Sequence, residues 1–236
     1  MMVRNENVVV DYDAYCPAVS TEGAASEEEK GRLVMLGKLA RTAHELHKSG
    51  KTPYRHKPDG RPYIVHPAAV VELLGEWGYT AREDFVTIAV GWGHDLIEET
   101  VDRVATERSI RDALAPDDRL ADEVVNGIRR LSFEPPADDP MKSDAENRIA
   151  YDVAKKGYVQ EIADEAPIRI LVVKMADRLC NTRDFVKAGN PWAKGYLELG
   201  HCLFDRMGEA KNPQAIERAL NEVKQGINGM QNGGRG

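Results

Sequence analysis

Four polar residues have the types and surroundings of a metal-binding set. His94 and Asp95 are adjacent, and His66 opens an apolar stretch after a proline-containing loop. Asp177 lies in the apolar segment V-V-K-M-A-D-R-L, where a carboxylate is costly to bury without a partner. Two imidazoles and two carboxylates make a mixed nitrogen and oxygen set that suits Mn²⁺, Fe²⁺ or another divalent metal. Taken singly, each of these residues could instead cap a helix, fill the core or lie on the surface.

Glu98 is the candidate for proton transfer beside such a metal. It follows His94 by four residues, which is one helical turn if the helix continues. A metal lowers the pKa of a bound water, and a carboxylate within reach can move the proton. Glu98 and its neighbour Glu99 could alternatively form a solvated acidic helix end.

Two further groups of polar residues could bind a substrate. Lys174, Asp177, Asn181 and Asp184 recur at steps of three and four residues, so they share one helical face. That face would place a metal ligand beside groups that bind ribose, phosphate or base, unless it is simply the solvent face. The basic run Arg55, His56 and Lys57 could meet phosphate oxygens, or it could be a solvated loop.

The elements that position these residues all have helical periodicity. Capping-box patterns at Ser26–Glu29 and Thr80–Glu83 mark two helix starts, and Pro167 marks another. Proline and aspartate mark the segments 51–65 and 132–142 as loops. Helices are predicted over 26–50, from Pro67 through Trp77, from Thr80 to His94, over 106–115 and 118–131, from about Ser143, from Pro167 through Leu179, and over 191–209 and 213–228. The prediction is an all-α fold with an N-terminal tail or arm over 1–25, one domain over 26–228 and a flexible tail over 229–236.

Composition limits the class of protein. The 236 residues suit one domain, and a net charge of -7 argues against a nucleic-acid partner. Three cysteines without C-x-x-C spacing argue against a disulfide framework and favour a reducing cytoplasm. The sequence has no signal-peptide pattern and no apolar run near the ~18 residues that span a membrane, so no membrane association is predicted.

Three sequence motifs resemble one known family. The order of His66, His94, Asp95 and Asp177 is similar to the H…HD…D signature of the HD superfamily of phosphohydrolases. The stretches R-H-K-P-D-G-R-P-Y-I-V-H-P (55–67), G-H-D-L-I-E-E-T (93–100) and V-K-M-A-D-R-L-C-N-T-R-D-F (173–185) resemble the signatures of the Rel/SpoT hydrolase domain and its small stand-alone relatives. The resemblance covers roughly residues 30–210.

The resemblance implies an HD-domain helical bundle with a metal, usually Mn²⁺, at its centre. The implied reaction is removal of the 3′-pyrophosphate from the alarmone (p)ppGpp, giving GDP or GTP and pyrophosphate. Because the sequence ends soon after the hydrolase region, we expect a hydrolase without a synthetase domain. The implied metal ligands are His66, His94, Asp95 and Asp177; the catalytic carboxylates are Glu98 and Glu99; the substrate-binding residues are Arg55, His56, Lys57, Lys174, Asn181 and Asp184.

Departures from the family pattern leave alternatives open. Glu99 replaces the usual aspartate, His56 replaces the usual lysine, and residues 132–166 match poorly although they should form the rim of the pocket. The substrate could therefore be ppApp, NADPH or another phosphorylated nucleotide. A different class of function is an antitoxin that neutralises an alarmone-synthetase toxin. His44 and His47 on the first helix are predicted to be structural.

Overall fold

A computed structural model describes residues 20, 22, 24, 26–53 and 61–233, apart from the side chains of 231–233. Most of the predicted N-terminal arm and the end of the predicted C-terminal tail lie outside these residues. In the described chain there is no β-strand, and the α-helices are α1 (Glu27–Lys48), α2 (Val65–Glu76), α3 (Phe85–Gly93), α4 (Leu96–Glu99), α5 (Arg103–Leu114), α6 (Asp118–Leu131), α7 (Asp144–Glu165), α8 (Ile168–Lys187), α9 (Trp192–Leu199) and α10 (Pro213–Gly233). The predicted all-α fold is confirmed.

About half of the helices start at a side chain that caps them. The Ser26 hydroxyl accepts a hydrogen bond from the Glu29 N–H at 3.1 Å, as the predicted cap requires. Ser143 and Glu146 form a complete capping box at the start of α7. The Thr80 hydroxyl does accept from the Glu83 N–H at 3.2 Å, but this contact closes a turn, and the predicted helix start at Thr80 is wrong. The Asp84 carboxylate accepts from the Thr80 N–H at 3.0 Å, so α3 begins at Phe85.

The predicted helix over 191–209 is also wrong as a single element. It ends at Leu199, and the chain continues as two 3₁₀ turns, His201–Phe204 and Met207–Glu209. A Cβ on Gly200 would lie 2.5 Å from Arg178 Nε, so a larger residue here would have to displace the buried Arg178 side chain. Glycine is unfavourable within a helix, and Gly200 is the residue that directly follows the last residue of α9. The last helix, in contrast, continues past its predicted end at 228 to Gly233.

Helices α3 and α8 lie at the centre of the bundle. All but one of the residues of α3 are buried, and it packs against α1, α2, α6 and α8. A helix that is apolar all round belongs inside a protein rather than on its surface. Close packing of α3 against α6 depends on Gly127, where a Cβ would lie 2.7 Å from Val90 Cγ2. In the part of the chain that the structure covers, no helix is long and apolar enough to cross a bilayer.

Candidate metal centre

The four predicted metal ligands meet at one point, although they come from different parts of the chain. His66 is in the first turn of α2, His94 and Asp95 lie between α3 and α4, and Asp177 is in the middle of α8. The Nε2 atoms of the two histidines are 3.2 Å apart. Asp95 Oδ2 lies 3.4 Å from His66 Nε2 and 3.1 Å from His94 Nε2. Asp177 Oδ1 lies 3.1 and 3.7 Å from the same two nitrogens.

This cluster is buried in the interior of the bundle. The exposed fractions of His66, His94 and Asp177 are 2%, 0% and 3%, and the Asp95 side chain is 14% exposed. The ligand atoms of His66, His94 and Asp177 lie within 4.8 Å of one another and could hold a metal ion. Two carboxylates and two imidazole nitrogens that face one buried point are a donor set that fits a divalent cation.

Neighbouring groups orient the ligands. His94 Nδ1 lies 2.9 Å from the carbonyl oxygen of Gly91, which can only accept, so Nδ1 donates and Nε2 is the nitrogen that faces the cluster. The Tyr63 hydroxyl donates to Asp95 Oδ2 at 2.7 Å. Lys174 Nζ lies 3.0 Å from Asp177 Oδ2 and leaves Oδ1 directed at the histidines.

The electrostatics of the cluster favour a cation. Burial disfavours the charged imidazole of His94, but the carboxylates of Asp95 and Asp177 raise its pKa to about 10. Burial also opposes ionisation of Asp177, yet Lys174 and the two histidines hold its pKa well below the usual range. The same negative charge that holds a proton on His94 would attract a metal ion.

Glu98 lies beside the metal centre, although the helix does not continue without a break from His94 to Glu98. Helix α3 ends at Gly93 and α4 begins at Leu96, so His94 and Asp95 occupy a break in the helical path. Glu98 Oε2 accepts a hydrogen bond from the Phe133 N–H at 3.2 Å. Burial, and then the charge of Asp95, raise the pKa of Glu98. A carboxyl group with a raised pKa is suited to exchange protons near neutral pH.

Glu99 has a different environment. Its carboxylate accepts a hydrogen bond from the Thr52 hydroxyl, in the segment that follows α1. The Lys51 N–H donates to the Glu99 carbonyl oxygen at 2.9 Å, and Lys51 Nζ donates to the Glu98 carbonyl oxygen at 2.7 Å. These contacts fix α4 to the end of α1, and the catalytic role assigned to Glu99 stays a prediction.

The predicted polar face of α8 points inward at the metal centre. Lys174 is 5% exposed, so this end of the face is not the solvent face that was the alternative. The Asn181 side-chain amide donates to Asp177 Oδ1. Asp184 lines an adjacent cavity of about 210 Å³ together with Arg61, His66, Arg183 and Lys187. The predicted basic residues Arg55, His56 and Lys57 lie outside the described residues.

Sequence reasoning did not single out Tyr63, Phe133 or Lys155. Tyr63 stands three residues before His66, a spacing that one turn of chain brings close. Lys155 follows Tyr151 by four residues and precedes Tyr158 by three, so the three side chains share a face of α7. Phe133 contacts Glu98 through its backbone N–H, and side-chain identity carries no signal for such a contact.

Sequence comparisons find bacterial relatives. The chain is 30% identical over 157 residues to the bifunctional (p)ppGpp synthase/hydrolase SpoT of Escherichia coli K12. It is 31% identical over 142 residues to a probable guanosine-3′,5′-bis(diphosphate) 3′-pyrophosphohydrolase of Synechocystis. These matches cover 66% and 60% of this chain but only 18% and 15% of the relatives. No protein-family model matches the chain.

A structure comparison agrees with the sequence matches. The chain resembles a solved metazoan orthologue of SpoT that hydrolyses ppGpp and plays a role in starvation responses. The TM-score is 0.54 at 20% identity, and the match covers 80% of this chain and 96% of the metazoan one. At this identity the likeness concerns the fold. Together with the bacterial matches it confirms the predicted resemblance: the chain is a homologue of the SpoT/Rel (p)ppGpp hydrolases and has the all-helical HD-domain fold.

Proposed function

We propose that this chain is a metal-dependent hydrolase that removes the 3′-pyrophosphate of (p)ppGpp. The products are GDP or GTP and pyrophosphate. The observation that carries the proposal is the convergence of His66, His94, Asp95 and Asp177, with Glu98 nearby. Relatives from Escherichia coli O157:H7 and Synechocystis carry the name of this activity, and the metazoan relative hydrolyses ppGpp. The chain spans less than a fifth of the length of the bacterial relatives, and the activity named for those proteins is therefore proposed for this chain.

His66, His94, Asp95 and Asp177 would hold the metal, which we propose to be Mn²⁺ or another divalent ion. A divalent ion at this place lowers the pKa of water and offsets charge on phosphoryl oxygens. The ligand shell is prepared for it, because Tyr63 holds Asp95 and Lys174 holds Asp177.

The chain's own residues supply proton transfer and binding. Glu98 takes a proton from the attacking water, for which its raised pKa and its place beside Asp95 are suited. Water adds across the bond between phosphorus and the ribose 3′ oxygen, and that oxygen leaves with a proton. Asn181 and Asp184 extend from the metal centre along α8 to the adjacent cavity, so they are placed to bind the nucleoside. Arg55, His56 and Lys57 are proposed to contact the remaining phosphates.

Nucleotide chromatography of the reaction products tests the proposal. Purified protein with Mn²⁺ is incubated with ppGpp, ppApp and NADPH in parallel, and Asp177→Ala serves as the inactive control. We expect intact pyrophosphate and GDP from ppGpp, with the 5′ diphosphate untouched. Stepwise release of orthophosphate, or cleavage of NADPH while ppGpp survives, would contradict the alarmone assignment. Cleavage of ppApp as well would mean that the 132–166 rim does not discriminate the base.

A further inference from the structure

Lys155 is a partly buried cation on α7 without a carboxylate partner among the residues that the structure describes. Its ammonium group lies 4.2 Å from the centroid of the Phe133 ring and 5.3 Å from that of Tyr158. The two rings cover part of the ammonium group, and no hydrogen-bond acceptor for it is found among the described residues. A charged amine in such surroundings is a binding group for an anion.

The position of Lys155 relates it to the metal centre. Phe133, over which its amine lies, donates its backbone N–H to Glu98. Burial lowers the pKa of Lys155 to about 8, with Lys174 and Arg178 acting in the same direction. The opposing pull of Glu98 and Asp177 does not restore the usual value. The amine therefore gains from any further negative charge that arrives beside it.

The other described cations at this place are already engaged. Lys174 Nζ pairs with Asp177 Oδ2 at 3.0 Å, and its pKa is well above the usual value. Arg178 lies over the Tyr196 ring at 3.9 Å and donates to the Tyr196 carbonyl oxygen at 3.0 Å. Lys155 also lies over aromatic rings, but among the described residues it has no hydrogen-bond acceptor and no carboxylate within salt-bridge distance, so it is the cation that can respond to a ligand.

We propose that Lys155 binds the terminal phosphate of the 3′-pyrophosphate group, and so selects a pyrophosphate ester over a monophosphate ester. This inference rests on the proposed function, because it assigns one end of that substrate to one wall of the site. In this arrangement Asn181 and Asp184 on α8 would bind the nucleoside, the phosphorus that is attacked would lie at the metal centre, and Lys155 on α7 would bind the phosphate beyond it. Residues 132–166, which match the family poorly, thereby contain a substrate contact of this chain.

Inorganic pyrophosphate and orthophosphate are the probes for a direct test. Their binding to metal-loaded protein is measured by titration calorimetry for wild type, Lys155→Met and the matched control Lys156→Met. Lys156 is the exposed neighbour on the same helix. Methionine keeps the unbranched stem that crosses the aromatic rings and removes only the charge. We expect Lys155→Met to bind pyrophosphate about ten- to a hundredfold more weakly, the scale of a charge-assisted hydrogen bond. Orthophosphate binding and metal content should stay near wild type.

A second variant keeps the test decisive if the methionine variant does not fold. Lys155→Arg retains the charge at all pH values used, whereas the wild-type amine loses its charge as the pH rises through about 8. Pyrophosphate binding by wild type should therefore weaken relative to Lys155→Arg above that pH. The ionisable groups that act on position 155 are common to both proteins: Glu98, Lys174, Asp177 and Arg178.

The outcomes separate this inference from the proposed function. If wild type cleaves ppGpp and Lys155→Met binds pyrophosphate as wild type does, the inference is wrong and the function stands. If Lys155→Met weakens both anions equally, the lysine is a general phosphate contact and the selectivity is wrong. If ppGpp is not cleaved but pyrophosphate binding still depends on Lys155, the substrate assignment fails and the anion site remains.

Discussion

Removing the Tyr63 hydroxyl should weaken metal binding without disturbing the fold. The hydroxyl donates to Asp95 Oδ2 at 2.7 Å, and the Tyr63 ring stacks on His47 with centroids 4.5 Å apart. Tyr63→Phe keeps the ring and its stacking partner and removes only the donor. Asp95 then loses the group that orients one of its oxygens towards the two histidines.

The size of the effect follows from the kind of hydrogen bond. A bond to a charged group contributes about 1.5–3 kcal/mol, and Asp95 is sufficiently buried for the loss not to be made good by water. Each 1.4 kcal/mol is about a tenfold change in affinity. If most of the loss appears in the metal-bound state, the metal dissociation constant should rise about ten- to a hundredfold, the usual range for such supporting contacts.

Competition with a fluorescent chelator measures this change, and Tyr79→Phe is its matched control. Tyr79 is also buried, and its hydroxyl accepts from the Lys211 N–H at 3.2 Å, in a contact that involves none of the predicted ligands. Tyr79→Phe should alter thermal stability but not metal affinity. If Tyr63→Phe binds Mn²⁺ as tightly as wild type and Tyr79→Phe do, Asp95 is not oriented in this way.

Three further changes address the ligand set, the chemistry and the packing. Asp177→Ala should abolish metal binding, measured by elemental analysis, while circular dichroism still shows a helical protein; full metal occupancy would refute the ligand assignment. Glu98→Gln should lower turnover by ~10²-fold or more with metal content unchanged, because it keeps size and loses the proton acceptor; normal turnover would assign proton transfer to another group. Gly127→Leu should lower the melting temperature, at a cost of about 1–3 kcal/mol or more for forcing side chains into a packed core. An unchanged melting temperature would show that α3 and α6 can separate to accept it.

The cluster of His66, His94, Asp95 and Asp177 could be predicted from sequence because the chemistry of these residues is unusual for their surroundings. Asp177 is an acidic residue in an apolar helix, and its burial against Lys174 accounts for that pattern. Helical periodicity likewise predicted the position of α6 and the loop that follows it, since one apolar face faces the core. Both predictions depend only on residues that are near one another in the sequence, or on which side chains are buried.

Features that depend on distant partners could not be predicted. The end of α9 depends on the approach of Arg178 to Gly200, and the position of Glu98 depends on a backbone N–H from Phe133. The sequence left open whether the helix continues from His94 to Glu98, and the structure has a break at His94 and Asp95 before α4 begins at Leu96. Lys155 lies in a segment whose composition is typical of a solvated helix face. Only the packing of α7 against the end of α6 brings its amine close to the metal centre.

The contacts that fix α4 to the end of α1 have a consequence for exchanging segments between relatives. Lys51 and Thr52 bond to the backbone of Glu98 and to the backbone and side chain of Glu99, so the segment before the predicted substrate-binding run and the carboxylate proposed for proton transfer share one anchor. The longer side chain of glutamate at 99 reaches the threonine, and an aspartate there is shorter by a methylene. Positions 52 and 99 therefore have to be transplanted together: a chimera that takes its basic loop from a relative and retains Glu99 would inherit a mismatched anchor, and its loss of activity could be mistaken for altered substrate specificity.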